Sequence, residues 1–160
     1  MRKIMVLILM VLVLAGCAGR VVLPSTPQVK EVVESDYDTV WEAVIQLFAE
    51  KNWPIKTIEK VSGVIRSERL TVPLDHLHSK NFKCQKSGFL ATEAYKTVEI
   101  TIFVREKSKN RTELLITTRS QKLDYYGQNS WWMDCVSLGD IETEVRNEIV
   151  FRAGKIERNE

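Results

Sequence analysis

The segment Ala94 to Val104, AYKTVEITIFV, limits the fold more than any other stretch of this chain. Its even positions, Val98, Ile100, Ile102 and Val104, are all aliphatic. Its odd positions give Thr97, Glu99 and Thr101, with Phe103 breaking the rule. Side chains on a strand alternate between faces, so period two predicts a strand with one buried and one wet face. Lys107-Ser108-Lys109-Asn110 then reads as a polar turn, and Arg111 to Ser120 as a returning strand. Leu114 and Ile116 lie on one side of it, with Glu113, Thr117 and Arg119 on the other. A one-sided sheet needs something apolar to cover it.

Two amphipathic segments answer that need. Val40, Trp41, Val44, Ile45, Leu47 and Phe48 recur at helical spacing, with Glu42, Gln46 and Glu50 opposite. Ser35 is the expected cap, with Asp38 three residues on, and Asn52 and Pro54 are the expected stop. A second helix is predicted over residues 138–153, with Leu138, Ile141, Val145 and Ile149 on one face. Ser137 would cap it and Gly154 would end it. Residues 29–34 read as a short strand, and Pro54–Lys60 and Val64–Leu70 as a hairpin around Val61-Ser62-Gly63. Residues 71–92 read as a long irregular loop. The expected fold is therefore α+β in the order β-α-β-β-β-β-α. Its two layers would be an antiparallel sheet and two helices on one face.

The amino terminus has a different character. Met1-Arg2-Lys3 is cationic, Ile4 to Leu14 is an unbroken apolar run, and Leu14-Ala15-Gly16-Cys17 follows. This is the layout of a secretory signal, too short for a membrane-spanning helix. Leu14-Ala15-Gly16-Cys17 resembles the lipobox of bacterial lipoproteins. That resemblance implies a diacylglyceryl group on the Cys17 sulfur, cleavage before Cys17, and acylation of the new amino terminus, with palmitate the expected chain. Three acyl chains suffice for stable anchoring. In such lipoproteins an aspartate after the cysteine marks the inner membrane. Here Ala18 follows, so the resemblance implies the outer membrane, facing the periplasm.

The expected organisation is a signal over residues 1–16, a lipidated cysteine and flexible tether over 17–28, one domain over 29–154 and a tail over 155–160. Removing residues 1–16 takes away Arg2 and Lys3 and no acid, leaving 21 basic against 21 acidic side chains. A neutral, interspersed surface gives no support for nucleic-acid binding. Of three cysteines, lipidation uses one and leaves Cys84 and Cys135. An even remainder in an oxidising compartment predicts a disulfide. The redox alternative lacks a Cys-x-x-Cys spacing to activate a thiol.

YDTVWEAVIQLFAEKNWPIKTIEKVSGVIRSE, residues 37–68, resembles the opening of TATA-binding-protein-like, or helix-grip, domains found in small periplasmic lipoproteins. The lipoprotein C component of the outer-membrane β-barrel assembly machinery contains such domains. CVSLGDIE, Cys135 to Glu142, is similar to a Cys-x-Ser-x-Gly-x-x-Glu stretch of the same kind of lipoprotein. The resemblance implies fold and compartment, and it brings no catalytic motif.

Chemistry is sparse elsewhere. His76-Leu77-His78, beside Asp75, gathers metal-ligand types, but a zinc site needs three or four ligands. The two histidines are expected to be solvated loop residues, and no metal or cofactor is expected. There is no phosphate-binding glycine loop and no nucleophile elbow, and acids such as Glu142 and Glu144 are expected on helix surfaces. No enzyme is indicated.

The stretch LDYYGQNSWWMDC, residues 123–135, crowds Tyr125, Tyr126, Trp131 and Trp132 around Gly127. The first expectation is that these rings cover the open end of a small core. Any exposed part would be the leading candidate for a partner contact. The wet sheet face of Thr97, Glu99, Thr101, Thr117 and Arg119 ranks second. The expected function is a binding or scaffolding lipoprotein that engages another envelope protein. The alternative is a lipoprotein of the cell wall, glycan-binding or hydrolase-associated, whose aromatics stack on sugar.

Overall fold

The computed structural model describes residues 27–72, 81–85 and 91–156. The lipobox with Cys17, the histidines His76 and His78, and most of the expected tail lie outside the described residues. The described residues are α+β, with eight strands in one antiparallel sheet and two helices among them. In chain order the elements are β1 (Val29–Val33), α1 (Tyr37–Glu50), β2 (Ile55–Glu59), β3 (Val64–Ser67), β4 (Leu70–Val72), β5 (Phe82–Cys84), β6 (Thr92–Ser108), β7 (Arg111–Tyr126), β8 (Asn129–Ser137) and α2 (Asp140–Ile156).

Three strands were not expected. The long loop contains β5 and the end of β4, and the aromatic stretch supplies β8. The long strands β6 and β7 form a central ribbon. β3 and β4 share the outer side of β6, separated by Glu68-Arg69, and β2 extends the sheet beyond β3. β1 and β8 share the far side of β7: β1 pairs with Thr112–Ile116, and β8 with Ser120–Tyr126. β5 adds to the inner end of β8.

The period-two reading of β6 holds on its apolar side. Val98, Ile100, Ile102 and Val104 are buried, and Leu114 and Ile116 of β7 join them. α1 contributes Val40, Trp41, Ala43, Val44, Leu47 and Phe48 to the same cluster, and α2 contributes Ile141, Val145, Ile149 and Ala153. Each fully buried aliphatic or aromatic side chain stabilises by about 1.5–3 kcal/mol, which makes this one cluster the main support of the domain. The opposite face is drier than expected. Thr97 and Thr101 are buried there. Arg66 donates to Thr101 Oγ1 at 3.2 Å, and both Arg66 and Lys56 reach Glu99.

The helix ends correct the sequence reading in detail. Asp36, not Ser35, caps α1: its carboxylate accepts from the Thr39 N–H at 2.9 Å and from Thr39 Oγ1 at 2.6 Å. Ser35 is buried, and its carbonyl is held by Thr112 Oγ1 at 2.9 Å. Asp38 pairs with Lys60 instead of closing a capping box. Asn52 ends the helix as expected, at φ 51°. Trp53 N–H reaches Phe48 O at 2.9 Å and Asn52 N–H reaches Ala49 O at 3.1 Å. The Phe48 and Trp53 rings meet edge-on at 5.5 Å. Those two bonds and that contact define a Schellman ending. α2 starts two residues later than expected and leaves Leu138 exposed. It also runs through Gly154 to Ile156, so Gly154 is not a stop.

A candidate contact surface at the aromatic hairpin

β7 outruns the helices that cover its first half. Beyond Leu123 it continues to Tyr126, turns through Gly127-Gln128, and returns as β8 from Asn129. Gly127 sits at φ 58°, which the first position of a type II′ two-residue hairpin loop requires and L side chains resist. The expected core-capping role of the aromatics is therefore overturned. Tyr125, Tyr126, Trp131 and Trp132 are 41 %, 51 %, 38 % and 41 % exposed, all at the outer end of a paired hairpin. The register sets Trp132 opposite Leu123 and Trp131 opposite Asp124. Alternation then sends Tyr125 and Trp132 to one face, and Tyr126 and Trp131 to the other.

Two residues that the sequence reading did not single out hold this platform. The Tyr95 ring meets Trp132 edge-on at 5.6 Å, and the Arg69 guanidinium carbon lies 5.0 Å from the centre of the Trp132 ring. A cation over an indole contributes about 0.5–1 kcal/mol at an exposed site. Arg69 sits in the break between β3 and β4, so the platform ties three separate parts of the sheet together. On the helix-side face the ribbon turns from apolar to charged. Asp124 and Lys122 are buried 3.1 Å apart, and Glu93 lies 3.1 Å from Lys96 and 3.9 Å from Lys122.

The base of β8 is where the Cys-x-Ser-x-Gly-x-x-Glu residues meet, and each has a structural task. Cys84 and Cys135 face each other in register with Cα atoms 4.0 Å apart and sulfurs at bonding distance. Ser137 Oγ donates to Glu142 Oε2 at 2.7 Å and accepts from the Gly139 N–H at 3.1 Å. Thr118 Oγ1 donates to the other Glu142 oxygen at 2.5 Å. Glu142 is thus fully buried between two hydroxyls, not on a helix surface as expected. Burial of a carboxylate is tolerated when both oxygens are hydrogen-bonded. It has no solvent face from which to act on a substrate.

A cavity of about 260 Å³ opens between the end of α1, β4, β6 and α2. Trp53, Leu70, Val98, Ile100 and Val145 give it an apolar wall, and Lys51 at its edge is paired with Glu148 at 3.0 Å. Among the described residues no group of three metal-ligating side chains occurs, and no helix is long and apolar enough to cross a membrane. No protein-family model matches the chain, and no curated protein is similar to it.

Proposed function

We propose that this chain is a bacterial envelope lipoprotein, anchored through acyl chains on Cys17 in the outer membrane and facing the periplasm. Its domain is a non-catalytic binding or scaffolding module of two-layer, helix-grip-like build, and the β7–β8 hairpin is its contact with another envelope component. One observation carries the contact: four large aromatics stand half-exposed at the end of a hairpin whose base is fixed by Cys135 and the Glu142 network. Aromatic side chains with polar tips are enriched at protein interfaces, and a rigid platform loses little entropy on binding. The Leu14-Ala15-Gly16-Cys17 pattern supports the anchor, and a Cys84–Cys135 bond suits an oxidising compartment.

Cys17→Ser moves the protein from the membrane to the soluble fraction if the anchor is as proposed; retention in washed membranes rejects it. Cross-linking followed by affinity capture of the lipidated chain should recover a discrete envelope component. Tyr126→Ala with Trp132→Ala should lose that component while circular dichroism and melting stay those of a folded domain. The glycan-binding reading predicts instead that the native chain sediments with purified peptidoglycan and the same double variant does not.

A further inference from the structure

The described chain starts at the foot of the aromatic hairpin. β1 runs antiparallel to β7, with Val29 opposite Ile116 and Val33 opposite Thr112. Followed back towards its amino end, β1 therefore heads along β7 in the direction of Tyr126. Pro27 then meets Gly139, just past the end of β8: a Cβ on Gly139 would stand 3.7 Å from the proline ring. Ten residues, 27 minus 17, separate Pro27 from Cys17. A fully extended chain of that length spans no more than ~36 Å, and a flexible one averages ~17 Å. β8 runs from Asn129 to Ser137, which puts the turn ~27 Å from the foot at ~3.3 Å per residue. Tether and hairpin thus set out from one place, with comparable reach.

The tip has the chemistry of a lipid interface. From Tyr125 to Met133 no side chain is charged, in a chain of which 28% is charged. Tryptophan and tyrosine are enriched where headgroups meet hydrocarbon, because the ring is apolar and its N–H or O–H stays wet. Here such rings stand on both faces of the hairpin, and all four are partly exposed. A single protein surface docks against one face, whereas a fluid headgroup layer surrounds both.

We propose that the tip of the β7–β8 hairpin lies in the phospholipid headgroup layer of the membrane that holds the chain. The proposal rests on the lipid-anchor reading of Cys17, and it names the bilayer as the component that the hairpin contacts. A short tether keeps the tip at high local concentration beside that surface, so that weak ring contacts suffice. The backbone groups of the Gly127-Gln128 turn stop the tip at the interface, because unpaired N–H and C=O groups are excluded from hydrocarbon. Arg69, exposed and 5.0 Å from the centre of the Trp132 ring, then supplies a cation to the lipid phosphates. Two attachments fix an orientation that one flexible tether leaves free, and the β6–β7 turn at Lys109-Asn110 is presented away from the membrane.

The test uses the purified full-length chain with its own lipid, in vesicles of phosphatidylethanolamine and phosphatidylglycerol. A share of phosphatidylcholine brominated close to the glycerol is added as the quencher. Trp131 and Trp132 are two of the four tryptophans, so the bromines should remove about half of the emission. Trp131→Phe with Trp132→Phe should leave the remaining emission unquenched. Tyr126→Asp keeps all four tryptophans and should cut the quenching about threefold, because a charge is costly in the interface. Flotation with the vesicles reports the anchor separately. A chain that floats but is quenched no more than the double variant overturns the proposal and leaves the anchor standing. A chain that does not float rejects the anchor, and this inference with it. Quenching that is strongest from bromines at the acyl-chain ends overturns the headgroup placement. A hairpin that cross-links in cells to an envelope protein, yet is not quenched in protein-free vesicles, overturns the bilayer as partner while leaving the hairpin a contact surface.

Discussion

Asp36 concentrates the local stability of the first helix in one carboxylate. The Thr39 hydroxyl and then the Thr39 N–H, both donating to the charged form, hold its pKa below the ordinary 3.8. A depressed carboxylate stabilises the fold fully above its unfolded value and loses that contribution as pH falls through its folded value. Asp36→Ala should therefore cost about 1 kcal/mol at neutral pH, read from urea unfolding, with the gap from the native chain closing on acidification below the unfolded value. Asp36→Asn keeps the acceptor and should lose less, without the pH dependence. The residues around Asp36 also show where sequence reading reaches its limit. Ser35, Asp36 and Asp38 are all good capping types, and helical spacing alone does not choose among them. The choice is made from afar, by Thr112 Oγ1 holding the Ser35 carbonyl. Glu142 has the same lesson: its burial depends on Thr118, which lies in another element.

At the scale of elements, the apolar stripe of α1, the even face of β6 and the first half of β7 were legible because each lies half in the core and half in water. Period then maps directly onto environment. β8 was not legible for the converse reason. Beyond Leu123 the ribbon leaves the helices behind, aromatics stand on both faces, and alternation of environment disappears along with alternation of sequence. The strand-favouring aromatics and the Gly127 turn were the remaining signals. β4 and β5 are too short to show any period. Gly154 misled because a glycine near a helix end usually stops it, yet here the final turn continues beyond it. Gly154→Ala should accordingly raise stability by about 0.5–1 kcal/mol, since among the described residues a Cβ there meets nothing within 4 Å and alanine is the better helix former. A fall in melting temperature would restore it as a cap. Gly63→Ala should do the opposite. It combines a φ of 67° with a Cβ that collides with the Val104 carbonyl, and the turn is tied there by a 2.8 Å bond from Val104 N–H to Gly63 O. A loss of about 2 kcal/mol or more is expected from thermal or urea unfolding, with the β2–β3 hairpin losing amide protection first.

For the whole molecule, one covalent link joins the middle of the chain to the strand that leads into α2. Cys84 and Cys135 are 51 residues apart in sequence. Closing a loop of that size stabilises by about 2–4 kcal/mol, chiefly by restricting the unfolded chain. Replacing both by serine should lower the urea midpoint by that amount and leave the unfolding slope nearly unchanged, and added reductant should have no further effect on the variant. Global pattern was readable to this extent: class, one core, the cysteine pair and the two helices. The course of the sheet was not, because strand neighbours are set by pairings across long stretches that no local signal records.

The placement of β1 carries a consequence for the order in which the domain assembles. Its partners on β7, Thr112 to Ile116, are synthesised long after Val29 to Val33. A chain made from its amino end must therefore hold this segment unmatched while the β2–β3 and β6–β7–β8 hairpins, whose contacts are close in sequence, are free to form first. Lys30 and Glu31 give the waiting segment the kind of charge that blunts an unpaired strand, so the first of the described strands is among the last to find its partner.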